Sequence, residues 1–351
     1  MGWGDGGRRE GSVGRVIAHS ARMAGVHFVD PALEESVARF LAAVEVRLHE
    51  ASETADPFVT EAAQHLMMAG GKRFRPMLVA VTSHFGDPTS PMLVDAATVL
   101  ELTHLATLYH DDVMDEAELR RGAESANSRW GNSLAILVGD YLFARAAEIA
   151  AGLGPEAVLI QAQTFARLVR GQIAETVGPR DADPVHHHLT VLADKTGSLI
   201  STCARFGGMF AGCRPETIEA LAAYAETLGM AFQLSDDLLD IASDEADSGK
   251  TPGTDLREGV PTLPVLYALS SHDADSGSRR LRELLADGPV TDDALHAEAL
   301  ELLRESTALK RARETVRGYA ESARRQLLSL PNCSARNALE SLCDVIADRT
   351  S

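Results

Sequence analysis

Several features that would place a chain in a familiar functional class are scarce here. Only four cysteines occur in 351 residues, Cys203, Cys213, Cys333 and Cys343, far apart and with no Cys-x-x-Cys pair. That spacing argues against a disulfide framework and a thiolate zinc site, and reads as buried free thiols in a reducing cytoplasm. Basic residues are outnumbered, 33 Lys and Arg against 51 Asp and Glu, for a formal net charge of −18. Gripping nucleic acid requires a basic face that neutralises phosphates, so no nucleic-acid partner is expected. No apolar run reaches the roughly 18 residues of a membrane span. The opening MGWGDGGRREGSVGR lacks the apolar stretch of a secretory leader. A soluble, cytoplasmic protein is the expectation. Short β-branched runs bounded by turn pairs are also nearly absent, and neither a fixed-period repeat nor an internal linker is visible.

What remains is helical. Residues 1–28 are rich in Gly, Arg and Ser and read as a flexible N-terminal tail. From there to residue 351 apolar residues recur at spacings of three and four, with Ala, Leu, Glu and Arg dominating. Leu33–Leu48, Pro91–Asp115, Trp130–Ala151, Glu156–Thr176, Pro215–Ala242 and Ala308–Leu328 each carry the pattern. Breakers such as Gly86-Asp87-Pro88, Gly178-Pro179 and Gly212-Cys213-Arg214-Pro215 separate them. Segments as apolar as LAILVGDYLFARAAEIA belong inside a large bundle. The reading is an all-α fold: one domain over 29–351, a single large helical bundle of a dozen or so helices.

Two acidic clusters stand out. Asp111, Asp112 and Asp115 form DDVMD, and Asp236, Asp237 and Asp240 form DDLLD. Each ends a long apolar helix, and the four-residue spacing puts first and last aspartates on one face. Three carboxylates there repel each other and meet the negative end of the helix dipole. A solvated acidic cap would explain one such cluster; two with the same spacing call for a cation. Oxygen ligands without His or Cys suit a hard ion, Mg²⁺ or Mn²⁺, which keeps positions open for phosphate oxygens.

Cations occur where an anionic substrate would need them. Gly70-Gly71-Lys72-Arg73-Phe74-Arg75-Pro76 pairs flexible glycines with three cations at a helix start, a phosphate cradle. Arg120 and Arg121 follow the first cluster, and Lys195-Thr196-Gly197 and Gly249-Lys250 add two more. His104 shares a stripe with the aspartates two turns below Asp111, either as a core histidine satisfied by a carbonyl or as a diphosphate contact. Gln233 sits just before Asp236. The His186-His187-His188 run reads as a solvated loop or helix start.

These blocks, in this order, resemble the trans-isoprenyl diphosphate synthases of the polyprenyl synthetase family, most of all the bacterial medium- and long-chain enzymes. The resemblance covers roughly residues 30–349. It is carried by GGKRFRP, ELTHLATLYHDDVMDEAELRRG, KTGSLI and GMAFQLSDDLLDIASDEADSGKTPGTDLREGVPTLPVL. It implies helices around a deep central cavity, a homodimer, and head-to-tail condensation of isopentenyl diphosphate with an allylic diphosphate. By the same resemblance Asp111 and Asp115 bind two of three Mg²⁺ ions and Asp236 the third, with Asp112, Asp237 and Asp240 in support. Arg120, Lys195 and Lys250 hold the allylic diphosphate, and Lys72, Arg75, His104 and Arg121 the isopentenyl diphosphate. Thr196 and Gln233 line the carbocation region, and Phe232 packs beside the isopentenyl chain. Many members carry a cation where Val260 stands here, which puts one peripheral diphosphate contact in doubt.

Short-chain members place a bulky aromatic four or five residues before the first aspartate. Here Thr107 and Ala106 are small, and Thr103 stands a turn below. One turn rises about 5.4 Å, roughly one isoprene unit. An open lane implies a product of about C30 to C50, suited to a quinone side chain. The alternatives are a shorter-chain geranylgeranyl or farnesyl diphosphate synthase, and a non-catalytic partner subunit of a heteromeric synthase. A terpene cyclase is disfavoured because it lacks the GGKRFRP cradle. Product release leaves room for transient membrane contact.

Overall fold

The computed structural model describes residues 28–242, 252–273, 275–286 and 288–349. Among them sixteen α-helices alternate with short turns. In chain order they are α1 (Pro31–Ser52), α2 (Pro57–Met68), α3 (Phe74–Ser83), α4 (Met92–Met114), α5 (Ala126–Trp130), α6 (Asn132–Leu153), α7 (Pro155–Val177) and α8 (Pro184–Leu192). A five-residue π-helical turn, Ala193–Gly197, then leads into α9 (Ser198–Phe210). There follow α10 (Pro215–Ala242), α11 (Thr254–Glu258), α12 (Leu263–Ser270), α13 (Ser276–Leu285), α14 (Asp293–Glu305), α15 (Thr307–Leu327) and α16 (Ser334–Asp348). The strands described are a two-residue pair, β1 (Leu119–Arg120) and β2 (Ala123–Glu124), antiparallel with Arg120 opposite Ala123. The all-α expectation holds, with this small hairpin added.

Local sequence explains where helices begin. Asp30-Pro31, Asp56-Pro57 and Asp183-Pro184 are each an N-cap followed by Pro at the first helical position. Each aspartate accepts a backbone N–H: from Ala32 at 2.9 Å, Phe58 at 2.9 Å and His186 at 2.7 Å. Proline lacks the N–H that would be orphaned there, and its φ is already helical. Pro155 and Pro215 open α7 and α10 in the same position.

The described chain divides into two compact units. The first comprises the residues up to Ala166, with Leu199–Ala222 and Leu327–Leu342. Its core helix is α4, buried on most of its faces through Leu93, Ala97, Leu100, Leu102, Leu105 and Tyr109. Tyr109 pins α4 to α2, its hydroxyl donating to Ala62 O at 2.6 Å and accepting from Leu66 N at 3.3 Å. Against α6 the approach is closer still. A Cβ on Gly139 would lie 2.4 Å from the His110 ring and 3.2 Å from Ala106 O, so only glycine fits.

The second unit comprises Arg167–Ser198, Ala223–Gln326 and Cys343 onward. Its core is built on the buried residues Tyr224, Leu228, Leu234, Leu238, Leu263, Leu303 and Val316. Among the described residues no helix is long and apolar enough to cross a membrane. All four cysteines are free thiols.

Candidate active site

In the first unit the functional residues gather at the C-terminal end of α4. Asp111 is half-buried and Asp115 exposed, while the Asp112 side chain is fully buried. After α4 the chain turns back through the hairpin. Arg121 and Gly122 occupy its turn at φ 56° and 78°, the double positive φ that tight hairpins prefer. This fold-back returns Arg120 to Asp112, with Nε at 2.6 Å and Nη2 at 2.5 Å from Oδ1. Burial raises the Asp112 carboxyl, Arg120 pulls it back down and Asp115 pushes it further up, the net direction being upward. Asp112 Oδ2 is buried with no hydrogen-bond partner.

The GGKRFRP loop joins the same end. Its three cations, alike in sequence, diverge in structure. Lys72 is exposed. Arg73, at φ 46°, turns inward and pairs with Glu45 and with Glu101, the latter at 3.2 Å, where both side chains are almost fully buried. Arg75 points its Nε into a buried position without a partner. Its guanidinium is pushed down by burial, an effect Glu101 only partly offsets. Arg121 donates to Leu66 O at 3.1 Å and to Gly70 O. A Cβ on Gly71 would lie 2.8 Å from Arg73 Nη1 and 2.9 Å from Arg121 Nη1, so this glycine makes room for two guanidinium groups.

His104 lies within this cationic group. Burial, then Arg75, Arg121, Arg73 and Arg120 in that order, holds its imidazole well below the usual histidine value. The same four arginines give it a field that favours an incoming anion. Of the chain-length positions, Thr103 and Ala106 are fully buried and Thr107 half-buried. Thr103 Oγ1 donates to Val99 O at 2.7 Å, and the Gln161 amide reaches it at 3.5 Å. Ala106 belongs to the close seam with Gly139, which gives its small size a packing reason.

In the second unit Lys195 and Thr196 ride the π-helical turn, a local widening frequent at functional sites. Lys195 Nζ pairs with Glu175 at 2.5 Å. The preceding Asp194 anchors the turn through Arg167 at 2.9 Å and Arg170 at 2.7 Å, and Arg167 continues to Glu226 at 2.6 Å. Burial works against the Asp194 charge, but the bonds from Arg170 and Arg167 outweigh it and hold the carboxyl below its ordinary value. Gly171 lets α7 approach; a Cβ there would meet Lys195 N at 2.8 Å.

The second aspartate cluster closes α10. Asp236 is exposed, with Arg349 Nη1 at 3.8 Å. Arg349 also stands 5.5 Å over the Phe232 ring, a cation the sequence reading missed. Asp237 is buried and accepts from Gln233 Nε2 at 3.3 Å, so Gln233 supports the cluster directly. Asp240 accepts from Thr254 N at 3.2 Å and Asp255 N at 3.1 Å, tying α10 to the start of α11. Val260 is 38% exposed just beyond α11, and Lys250 lies outside the described residues.

The histidine run lies at the start of α8, one of its two expected places, but is only partly solvated. His186 is exposed, but His187 bonds Ala174 O at 3.1 Å, and His188 Nε2 faces Asp237 Oδ2 at 3.7 Å. The reason is helical phase, since α8 buries one side and His188 falls on it.

Among the described residues no three His, Cys, Asp or Glu side chains converge as a ready cage. The donor set is nonetheless that of a hard cation, all oxygen. The orphaned Asp112 Oδ2 is an acceptor for a cation's coordinated water. Mg²⁺ binds through few carboxylates and keeps waters and phosphate oxygens, so an open, half-solvated cluster fits it.

A helical protein that ends two apolar helices in DDxxD clusters, one of them joined by Arg73, Arg75, Arg120 and Arg121, has the oxygen donors and cations that a metal-bridged anion needs. Comparison with known proteins makes the class specific. Residues 56–303 match the Polyprenyl synthetase family. The chain is 47% identical over 329 residues to the nonaprenyl diphosphate synthase of Mycobacterium tuberculosis, covering 93% of this chain and 97% of that protein. Its fold matches geranylgeranyl pyrophosphate synthase from Corynebacterium glutamicum, crystallised with calcium and isoprenyl diphosphate. The TM-score is 0.84 at 44% identity, over 93% of this chain and 99% of that one. A decaprenyl diphosphate synthase from Rhodobacter capsulatus superposes with TM-score 0.82 at 34% identity, over 91% of this chain and 99% of its own. The chain therefore belongs to the polyprenyl synthetase family and is a prenyltransferase of isoprenoid synthesis.

Proposed function

We propose that the chain condenses isopentenyl diphosphate head to tail with an allylic diphosphate, building a trans-polyprenyl diphosphate of about C30 to C50. The observation that carries this reading is the grouping of His104 with Arg75, Arg121, Arg73 and Arg120, two turns below Asp111 on the helix that ends in the first aspartate cluster. That arrangement holds a diphosphate next to a cation-binding helix end. We take residues 29–351, both units together, as one functional domain acting in the cytoplasm, a reading the four free thiols support.

Chemically, the allylic carbon–oxygen bond breaks, the isopentenyl double bond attacks the resulting cation, and a proton leaves the adduct. Bound Mg²⁺, three ions in this reading, supplies the Lewis-acid charge that lets the diphosphate depart. Asp111, Asp115 and Asp236 would hold it, with Asp112, Asp237 and Asp240 in support, themselves steadied by Arg120, Gln233 and the α11 amides. Lys72, Arg75, His104 and Arg121 fix the isopentenyl diphosphate so that its double bond is positioned for attack. Arg120, Lys195 and Lys250 hold the allylic diphosphate; Lys195 must exchange Glu175 for it. The oxygens of Thr196 and Gln233 face developing positive charge, and the departing diphosphate takes the proton.

The long product rests on Thr103 and Thr107, small where a stop would stand, and on the 47% identity to a protein named for a nonaprenyl product. The homodimer rests on surface pattern. Along α7, Leu159, Ala162, Ala166, Val169 and Ile173 are all exposed and recur at three and four residues. That is a coiled-coil-like stripe which a second copy would cover.

The test is incorporation of labelled isopentenyl diphosphate into an acid-labile product with farnesyl diphosphate as primer. Mg²⁺ should be required, chelation should abolish the reaction, and Asp111→Asn or Asp236→Asn should each lower it by at least a hundredfold. Full activity in either variant would overturn the assignment of that cluster.

A further inference from the structure

We infer that His188 is a positioning residue for the second aspartate cluster, acting through Asp237. The inference rests on the assignment of that cluster to the catalytic cation. Helix α8 is started by Asp183 and Pro184, and its third turn runs into the π-helical turn that carries Lys195. This phase leaves His186 in solvent and points His188 inward, where its side chain is 14% exposed. Its Nε2 is buried and makes no hydrogen bond. Asp237 Oδ2 lies 3.7 Å away, while Asp237 Oδ1 already accepts from Gln233 Nε2 at 3.3 Å.

Asp237 is thus flanked on both oxygens, by an amide from its own helix one turn earlier and by an imidazole from a separate helix. A buried ring nitrogen without a partner is unfavourable, and a shift of about half an ångström brings this one into hydrogen-bonding range. Once closed, that bond fixes the rotation of the Asp237 carboxylate beside Asp236. A supporting carboxylate held from behind in this way strengthens the cluster's grip on its cation, and such outer partners typically contribute a factor of about 10 to 100 in affinity. His188 needs only an N–H for this role; its charge is not required.

The test uses Mn²⁺ with inorganic diphosphate, read by electron paramagnetic resonance, in full-length protein carrying Asp111→Asn and Asp115→Asn so that bound Mn²⁺ reports the second cluster. His188→Leu should weaken Mn²⁺ binding about tenfold, and His188→Gln, which keeps a donor of similar reach, should restore most of it. In the otherwise native enzyme His188→Leu should raise the Mg²⁺ needed for half-maximal rate by a similar factor. Turnover at saturating Mg²⁺ should move far less, and the isopentenyl diphosphate KM should hold. Should the Leu variant fail to fold, His188→Met, of comparable length and without a donor, carries the same comparison. Unchanged Mn²⁺ binding in the Leu or Met variant, with Asp236→Asn still weakening it, overturns the role of His188 alone. Unchanged binding in Asp236→Asn overturns the cluster assignment beneath it.

Discussion

Thr103→Phe separates two accounts of the residues upstream of Asp111. Thr103 stands eight residues before that aspartate on α4, so it lies about 12 Å along the helix axis at 1.5 Å per residue. If an alkyl chain grows past it, a phenyl ring at that depth leaves room for roughly two or three isoprene units, about C10 to C15, and the product stops far short of C30. The ring then occupies space meant for product, and stability changes by less than about 1 kcal/mol. If Thr103, 1% exposed and bonded to Val99 O and Gln161, is instead part of a filled core, the outcome reverses. Overpacking then costs about 1–3 kcal/mol and the product keeps its length. Urea denaturation and chromatography of the dephosphorylated prenols read the two quantities on one preparation. A destabilised variant with an unshortened product would refute the lane.

Arg73→Met should destabilise the fold by about 3–5 kcal/mol, because it strands the buried Glu101 carboxylate beside Glu45; the urea midpoint measures it, and a loss under 1 kcal/mol would show that the pair is solvated. His104 is held well below its unfolded value of 6.5, so below about pH 6.5 the unfolded chain binds a proton that the folded one refuses. Folding stability should therefore fall as pH drops through that range, and His104→Gln should flatten the dependence; an equal slope in the variant would contradict the burial argument. Leu159→Glu with Ala166→Glu should split a dimer into monomers by light scattering, and an unchanged mass would place the interface elsewhere.

Much of the architecture was readable because it depends on local chemistry. The run from Met92 to Met114 has no breaker, and Pro91 and the DDVMD cluster bound it; Asp-Pro pairs mark three other helix starts. The π-helical turn was not readable, since Ala193–Gly197 continues the helical pattern without a break and Asp194 within it finds its partners, Arg167 and Arg170, more than twenty residues earlier. Nor could spacing distinguish Arg73, committed to Glu45 and Glu101, from Arg75, whose Nε stays unpaired. Those fates depend on carboxylates some thirty residues away in sequence. His188 and Arg349 were missed for the same reason, each gaining its meaning only from an aspartate on α10.

The most direct measurement is the size of the product. The protein, given Mg²⁺, isopentenyl diphosphate and farnesyl diphosphate, should yield prenols whose mass spectrum forms a ladder peaking at about C30 or longer, as the small residues at Thr103 and Thr107 require. A sharp stop at C20 would contradict the open lane while leaving the chemistry intact. No elongation with any allylic primer would contradict the catalytic reading itself.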